Sequence, residues 1–66
     1  MGHKLTIGDR VVCRLYNTPE HKFYGSAFTA KIENIQEDTR HPFLVRSETD
    51  AGYAIWLARR EILRRI

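Results

Sequence analysis

The chain has 66 residues, 42% of them hydrophobic and 29% charged, and carries a formal net charge of +3. A chain of this length builds one hydrophobic core, so we expect a single domain over residues 1–66, in which residues 1–4 can be a disordered leader. Apolar runs such as Ala54–Leu57 are far shorter than the roughly 20 residues of a membrane helix. The single cysteine, Cys13, cannot form an internal disulfide. We therefore predict a soluble, cytoplasmic protein without a membrane partner.

The first predicted element is a β-strand at residues 10–16. Val11, Cys13 and Leu15 alternate with more polar residues there, which is typical of a half-buried strand. The segment 17–25 that follows is polar and contains a proline, so it is predicted to be a long hairpin loop.

The second predicted strand begins at Ser26. Phe28, Ala30 and Ile32 share its buried face, whereas Ile35 falls out of phase with them. A one-residue slip of this kind predicts a β-bulge, and bulges bend strands into small barrels.

Two further strands are predicted at residues 43–46 and 53–57, each following a polar turn. The apolar residues after residue 57 fit either a helix, over about 54–66, or one helical turn at 58–61 followed by a short closing strand. We prefer the closing strand, because a four-stranded meander would leave both of its edges exposed.

The pieces that follow one another along residues 8–66 are Gly8-Asp9-Arg10-Val11, Ala30 to Ile35, Phe43-Leu44-Val45, Gly52 with Ile55-Trp56-Leu57, and Glu61-Ile62. In this order and spacing they resemble a small Src-homology-3-like barrel of the Tudor and KOW type, closest in pattern to the tiny barrels of bacterial and phage genomes. The resemblance implies an all-β, five-stranded barrel with one short helical turn before the last strand. It also implies that the first and last strands pair.

Two family functions do not carry over to this chain. Tudor readers of methylated side chains surround a cation with aromatic rings. Phe28 matches one wall of that cage, but the third strand ends in Arg46-Ser47, where a cation would meet a cation. The KOW motif depends on glycines in the second strand, and Ser26 to Thr29 replace them here.

Charge is distributed unevenly along the chain. The first 58 residues carry seven Lys or Arg against seven Asp or Glu, whereas the last eight carry four arginines against one glutamate. Arginine binds phosphate with two parallel hydrogen bonds and stacks on bases. One hypothesis is a contact with DNA or RNA, made by the arginines of the tail and of the first strand: Arg10, Arg14, Arg59, Arg60, Arg64 and Arg65. The alternative is a solvated sheet edge that its charge keeps from pairing, and both interpretations stay open.

Aromatic residues form the second candidate set. Tyr16, Tyr24, Tyr53 and Trp56 flank predicted turns or fall on outward positions, where rings can form a shallow groove for bases or peptides. Rings in a small barrel also cover its open ends, so this interpretation has a structural alternative.

Metal binding and catalysis have no supporting pattern. Cys13, His3, His21 and His41 lie on separate segments without the spacings of a zinc site, and no nucleophile has an evident base partner. We predict no cofactor, no small-molecule substrate and no enzymatic activity. The predicted function is weak nucleic-acid binding through the arginines and the aromatic groove, and the alternative is a module that binds a peptide or an acidic partner protein.

Overall fold

The structure is a computed structural model that describes residues 4–15 and 25–66. Those residues form five strands: β1 (Arg10–Arg14), β2 (Ala27–Ile35), β3 (Phe43–Ser47), β4 (Ala54–Leu57) and β5 (Ile62–Arg65). One 3-10 turn, Arg59–Glu61, precedes β5. The strands belong to one antiparallel sheet with the order β4-β3-β2-β1-β5.

This arrangement confirms the predicted fold class. The described residues are all-β, with five strands and one short helical turn before the last strand, consistent with a small barrel-like fold. The tail 54–66 is strand, turn and strand rather than a helix. The predicted loop 17–25 lies almost wholly outside the described residues.

The core lies on the face that the alternation predicted. Val11, Cys13 and Leu15 of the first strand are buried against the inward side chains of β2. Among the described residues, the buried cluster consists of Leu5, Val11, Cys13, Leu15, Phe28, Ala30, Ile32, Val45, Leu57 and Ile62. Removing such apolar side chains from water is the main contribution to stability in a domain without a disulfide.

A bulge at Glu33 explains the phase slip at Ile35. Ile32 pairs with Val45, but the next pair is Asn34 with Leu44, so Glu33 is an extra residue on β2. The extra residue brings Ile35 back to the inner side, where it packs against the core.

A second bulge shapes the pair of β1 and β5. Cys13 pairs with Ile62 and Val12 pairs with Arg64, which leaves Leu63 as the extra residue. Ile62 is therefore buried while Arg64 lies opposite Val12 on the outer face. The first and last strands therefore pair through Val11, Val12 and Cys13 of β1.

The 3-10 turn is held by a buried carboxylate. Glu61 is only 3% exposed, and its Oε1 accepts a hydrogen bond of 2.9 Å from the backbone N–H of Ala58. The backbone N–H of Glu61 donates in return to the carbonyl oxygen of Ala58 at 3.0 Å. A buried carboxylate is costly unless it is hydrogen-bonded, so Glu61 serves as a structural cap rather than a surface charge.

Candidate nucleic-acid interface

Among the six predicted arginines, Arg10 makes the firmest contact within the described part of the chain. Its Nε and Nη2 donate to the two carboxylate oxygens of Glu48 at 2.6 and 2.8 Å. The hydrogen bond to Glu48 raises the pKa of Arg10, and the same bond is the main reason that the pKa of Glu48 is lowered. Arg10 is thus largely neutralised by Glu48, so its charge contributes less to the predicted phosphate contact.

Arg65 and Arg59 are engaged more loosely. The Nη1 of Arg65 lies 3.8 Å from the Oδ2 of Asp9, and the Nη1 of Arg59 donates to the carbonyl oxygen of Ile62 at 3.0 Å. Asp9 also accepts a hydrogen bond from the backbone N–H of Thr6, at 3.0 Å, which fixes its carboxylate beside β5.

Arg14 and Arg64 differ from these three. Both are exposed, and neither has an acidic partner within residues 4–15 and 25–66. Arg14 of β1 pairs with Ala27 of β2, and Arg64 of β5 pairs with Val12 of β1. Since Arg14 and Val12 lie two positions apart on one strand, both arginines extend from the same outer face.

A shallow groove of about 450 Å³ lies next to this pair of arginines. Its lining residues are Val12, Ala27, Phe28, Thr29, Thr49 and Arg64. Its described lining residues are three with apolar side chains, two threonines and one arginine. One of the threonines, Thr29, is hydrogen-bonded to the carboxylate of Glu48, which is itself paired with Arg10.

The turn between β3 and β4 positions Thr49 at the rim of the groove. Ser47 is buried, and its Oγ accepts hydrogen bonds from the backbone N–H groups of Thr49 and Asp50 at 3.2 and 3.1 Å. Hydroxyls commonly organise turns in this way. The sequence predicted the turn, but not the role of Ser47.

Arg60 contributes to a second concavity rather than to the groove. A cleft of about 440 Å³ is lined by Arg40, His41, Ala58 and Arg60. Arg40 and His41 belong to the turn between β2 and β3, so two segments about 20 positions apart meet here. Neither Arg40 nor His41 was among the predicted binding residues, because the distribution of charge along the chain does not show which turns come together.

The aromatic candidates are only partly described. Tyr16 and Tyr24 lie outside the described residues, so the predicted groove of aromatic rings stays a prediction. Trp56 is half-buried on β4 and pairs with Leu44, at the far side of the sheet from β1. Tyr53 is also half-buried, and its loss of solvent raises the pKa of its hydroxyl. Neither ring lines the groove beside Arg64.

Phe28 and Cys13 both belong to the interior. Phe28 is only 6% exposed, so its ring is part of the core rather than an open cage wall. Cys13 is fully buried, and burial, aided by the charge of Glu61, raises the pKa of its thiol to about 12. A thiol held neutral in this way is a poor nucleophile and a poor metal ligand.

Across the two described stretches, no group of three or more His, Cys, Asp or Glu side chains is placed to hold a metal ion. No helix within them is long and apolar enough to span a membrane. Comparison of the chain with protein-family models, with curated proteins and with solved structures finds no match. The resemblance to small Src-homology-3-like barrels therefore stays a prediction, and the functional argument depends on the arrangement of charges.

Proposed function

We propose that this protein is a non-enzymatic binding module that contacts the phosphate backbone of DNA or RNA through the outer face of β1 and β5. One observation carries the proposal. Arg14 and Arg64 extend from one face beside a groove whose described lining residues include no Asp or Glu, and neither arginine is neutralised by a carboxylate of the described part of the chain.

The chemistry of this face fits phosphate better than it fits a base sequence. A guanidinium donates two parallel hydrogen bonds to one phosphate group. The apolar side chains of Val12 and Ala27, which line the groove, can cover a sugar or the flat side of a base. Contacts of this kind fix the position of a strand but carry little sequence information.

Binding through so few charges is expected to be weak and sensitive to salt. Each neutralised phosphate lowers the slope of log K against log salt by about 0.7 for single strands and about 0.9 for duplexes. With Arg14 and Arg64 in contact, we expect a slope between about −1.5 and −2.

Fluorescence anisotropy with labelled single-stranded and duplex oligonucleotides, over a series of salt concentrations, tests the proposal. The double variant R14Q/R64Q should weaken binding and flatten the salt slope by about 1 to 2. The matched control is R10Q/R46Q, which removes the same charge from two arginines that are paired with Glu48 and Glu33. It should leave the slope nearly unchanged, provided that far-ultraviolet circular dichroism shows both doubles folded.

Two results would reject the proposal. One is that the folded wild type binds no nucleic acid at low salt. The other is that the two double variants weaken binding equally, because the effect would then follow net charge alone.

Exposed apolar residues support the second candidate, a protein-interaction module. Leu63 and Ile66 are 43% and 52% exposed near the end of the chain, beside the arginines of β5. An acidic partner with apolar residues would complement that strand. Affinity capture with and without nuclease separates the candidates, since a nucleic-acid binder loses its nucleic-acid-bridged partners on digestion.

A further inference from the structure

The cleft between the β2–β3 turn and the 3-10 turn is separate from the groove that carries the proposed function. Its described lining residues are Arg40, His41, Ala58 and Arg60, which supply two guanidiniums and an imidazole and include no Asp or Glu. A concavity of about 440 Å³ with this lining favours an anion over a cation or a neutral apolar ligand.

Both walls of the cleft are held by hydrogen bonds. The turn that carries Arg40 and His41 is closed by the backbone N–H of Gln36, which donates to the carbonyl oxygen of Pro42 at 2.8 Å. The opposite wall is the 3-10 turn that the buried Glu61 caps. The cleft therefore does not depend on a ligand for its shape.

The acidic residues of the same turn face another concavity. Glu37 and Asp38 line a different pocket, together with Lys4 and Arg59, and neither lines the cleft. Asp38 has a backbone φ of 66°, in the left-handed region that aspartate tolerates better than most residues. The chain turns at Asp38, and the basic pair Arg40 and His41 follows this turn.

Among phosphates, this lining fits a monoester better than a diester. A phosphomonoester carries a charge of about −1.5 to −2 at pH 7 and has three acceptor oxygens, whereas a backbone diester has one charge and two free oxygens. Two guanidiniums and an imidazole together offer enough N–H donors for all three oxygens.

We infer that this cleft binds the terminal phosphate of a nucleic-acid strand, so that the protein prefers phosphorylated strand ends. The inference rests on the proposed function, since it assigns the end of a strand to the cleft and its backbone to the groove. The two sites lie at opposite ends of β2, because Arg14 pairs with Ala27 at its start and Arg40 follows its last residue, Ile35. Substitutions in one site should therefore leave the other site intact.

Oligonucleotides of one sequence with a 5′-phosphate, with a 3′-phosphate or with neither test this inference by anisotropy. A terminal phosphate at one of the two ends should tighten binding to the wild type by about tenfold. R40Q/R60Q should abolish that gain and leave binding of the unphosphorylated strand unchanged. R14Q/R64Q should weaken all three strands and keep the gain.

A single variant and a direct probe guard against a folding defect. R40Q alone changes an exposed turn residue and should lose most of the gain. In NMR spectra, inorganic phosphate should shift the ring signals of His41 in the wild type, and should do so much less in R40Q.

Each failure has its own signature. Equal binding of phosphorylated and unphosphorylated strands, or a gain that survives R40Q/R60Q, overturns the inference and leaves the proposed function standing. Binding that requires a terminal phosphate and ignores R14Q/R64Q overturns the proposed function instead. If no strand binds, both fail, even if inorganic phosphate shifts His41.

Discussion

Arg10 and Glu48 lie 38 positions apart in the chain, yet the guanidinium of one donates to both carboxylate oxygens of the other. Arg10 opens β1 and Glu48 follows β3, so the ion pair crosses over β2 on the outer face of the sheet. The ion pair occupies one arginine of the candidate interface. It also couples the protonation of the Glu48 carboxylate to folding.

The coupling at Glu48 leads to a prediction about acid stability. The pKa of Glu48 is lowered below its ordinary value of 4.5 in the folded chain, chiefly by the hydrogen bond from Arg10. The folded state therefore binds this proton less readily than the unfolded state, so the contribution of the pair is present above pH 4.5 and is lost as the pH falls below it. We expect E48Q to show a smaller loss of stability between pH 6 and pH 3 than the wild type, measured as urea midpoints. R10Q should also show a smaller loss of stability over this pH range, and the double variant R10Q/E48Q should show no further reduction. A pH dependence in E48Q equal to that of the wild type would contradict the coupling.

Cys13 provides a test of the core. Because its side chain is fully buried and its thiol pKa is raised to about 12, a thiol reagent should modify the native protein only when the sheet opens. The modification rate should level off at high reagent concentration, at the opening rate of the chain. A rate that stays proportional to reagent concentration and matches that of an unfolded control would mean that β1 presents its other face to the core.

Glu61 provides a test of the 3-10 turn. E61A should destabilise the protein by about 1–3 kcal/mol, because the backbone N–H of Ala58 loses its buried partner. E61Q keeps an acceptor oxygen at the same place, so it should cost clearly less. Urea unfolding of the two variants gives the comparison, and equal losses would show that the hydrogen bond to Ala58 is not what holds the turn.

The fold could be predicted from the sequence because its signals are local. Alternation at Val11, Cys13 and Leu15 depends only on neighbouring positions, and so does the slip at Ile35 that a bulge then explains. The tail was ambiguous for the same reason, since the spacing of its apolar residues fits two periods. The position of Ile62 opposite Cys13 resolves it.

The candidate site was less predictable because it depends on contacts between distant segments. The four arginines of the tail were predicted as one group, but the fold separates them. Arg64 lies on the outer face of β5 and Arg65 lies beside Asp9, whereas Arg59 and Arg60 belong to the 3-10 turn and line two different pockets. No local pattern indicates that Glu48 reaches Arg10 or that Arg40 meets Arg60. The distribution of charge along the sequence identified residues 59–66 as basic. Only the folded structure shows which of their arginines have an acidic partner among the described residues.

The bulge at Leu63 gives β5 an unequal tolerance to changes in length. Ile62 and Arg64 sit on opposite faces although they are two positions apart, because one residue between them has no partner on β1. Deletion of Leu63 removes that surplus residue and leaves Ile62 opposite Cys13 and Arg64 opposite Val12. Insertion of one alanine after Leu63 adds a second residue without a partner on β1, so it must displace either the pair of Ile62 with Cys13 or the pair of Arg64 with Val12. We expect the shortened protein to unfold at a higher urea concentration than the lengthened one, so the last strand can lose a residue more easily than it can gain one.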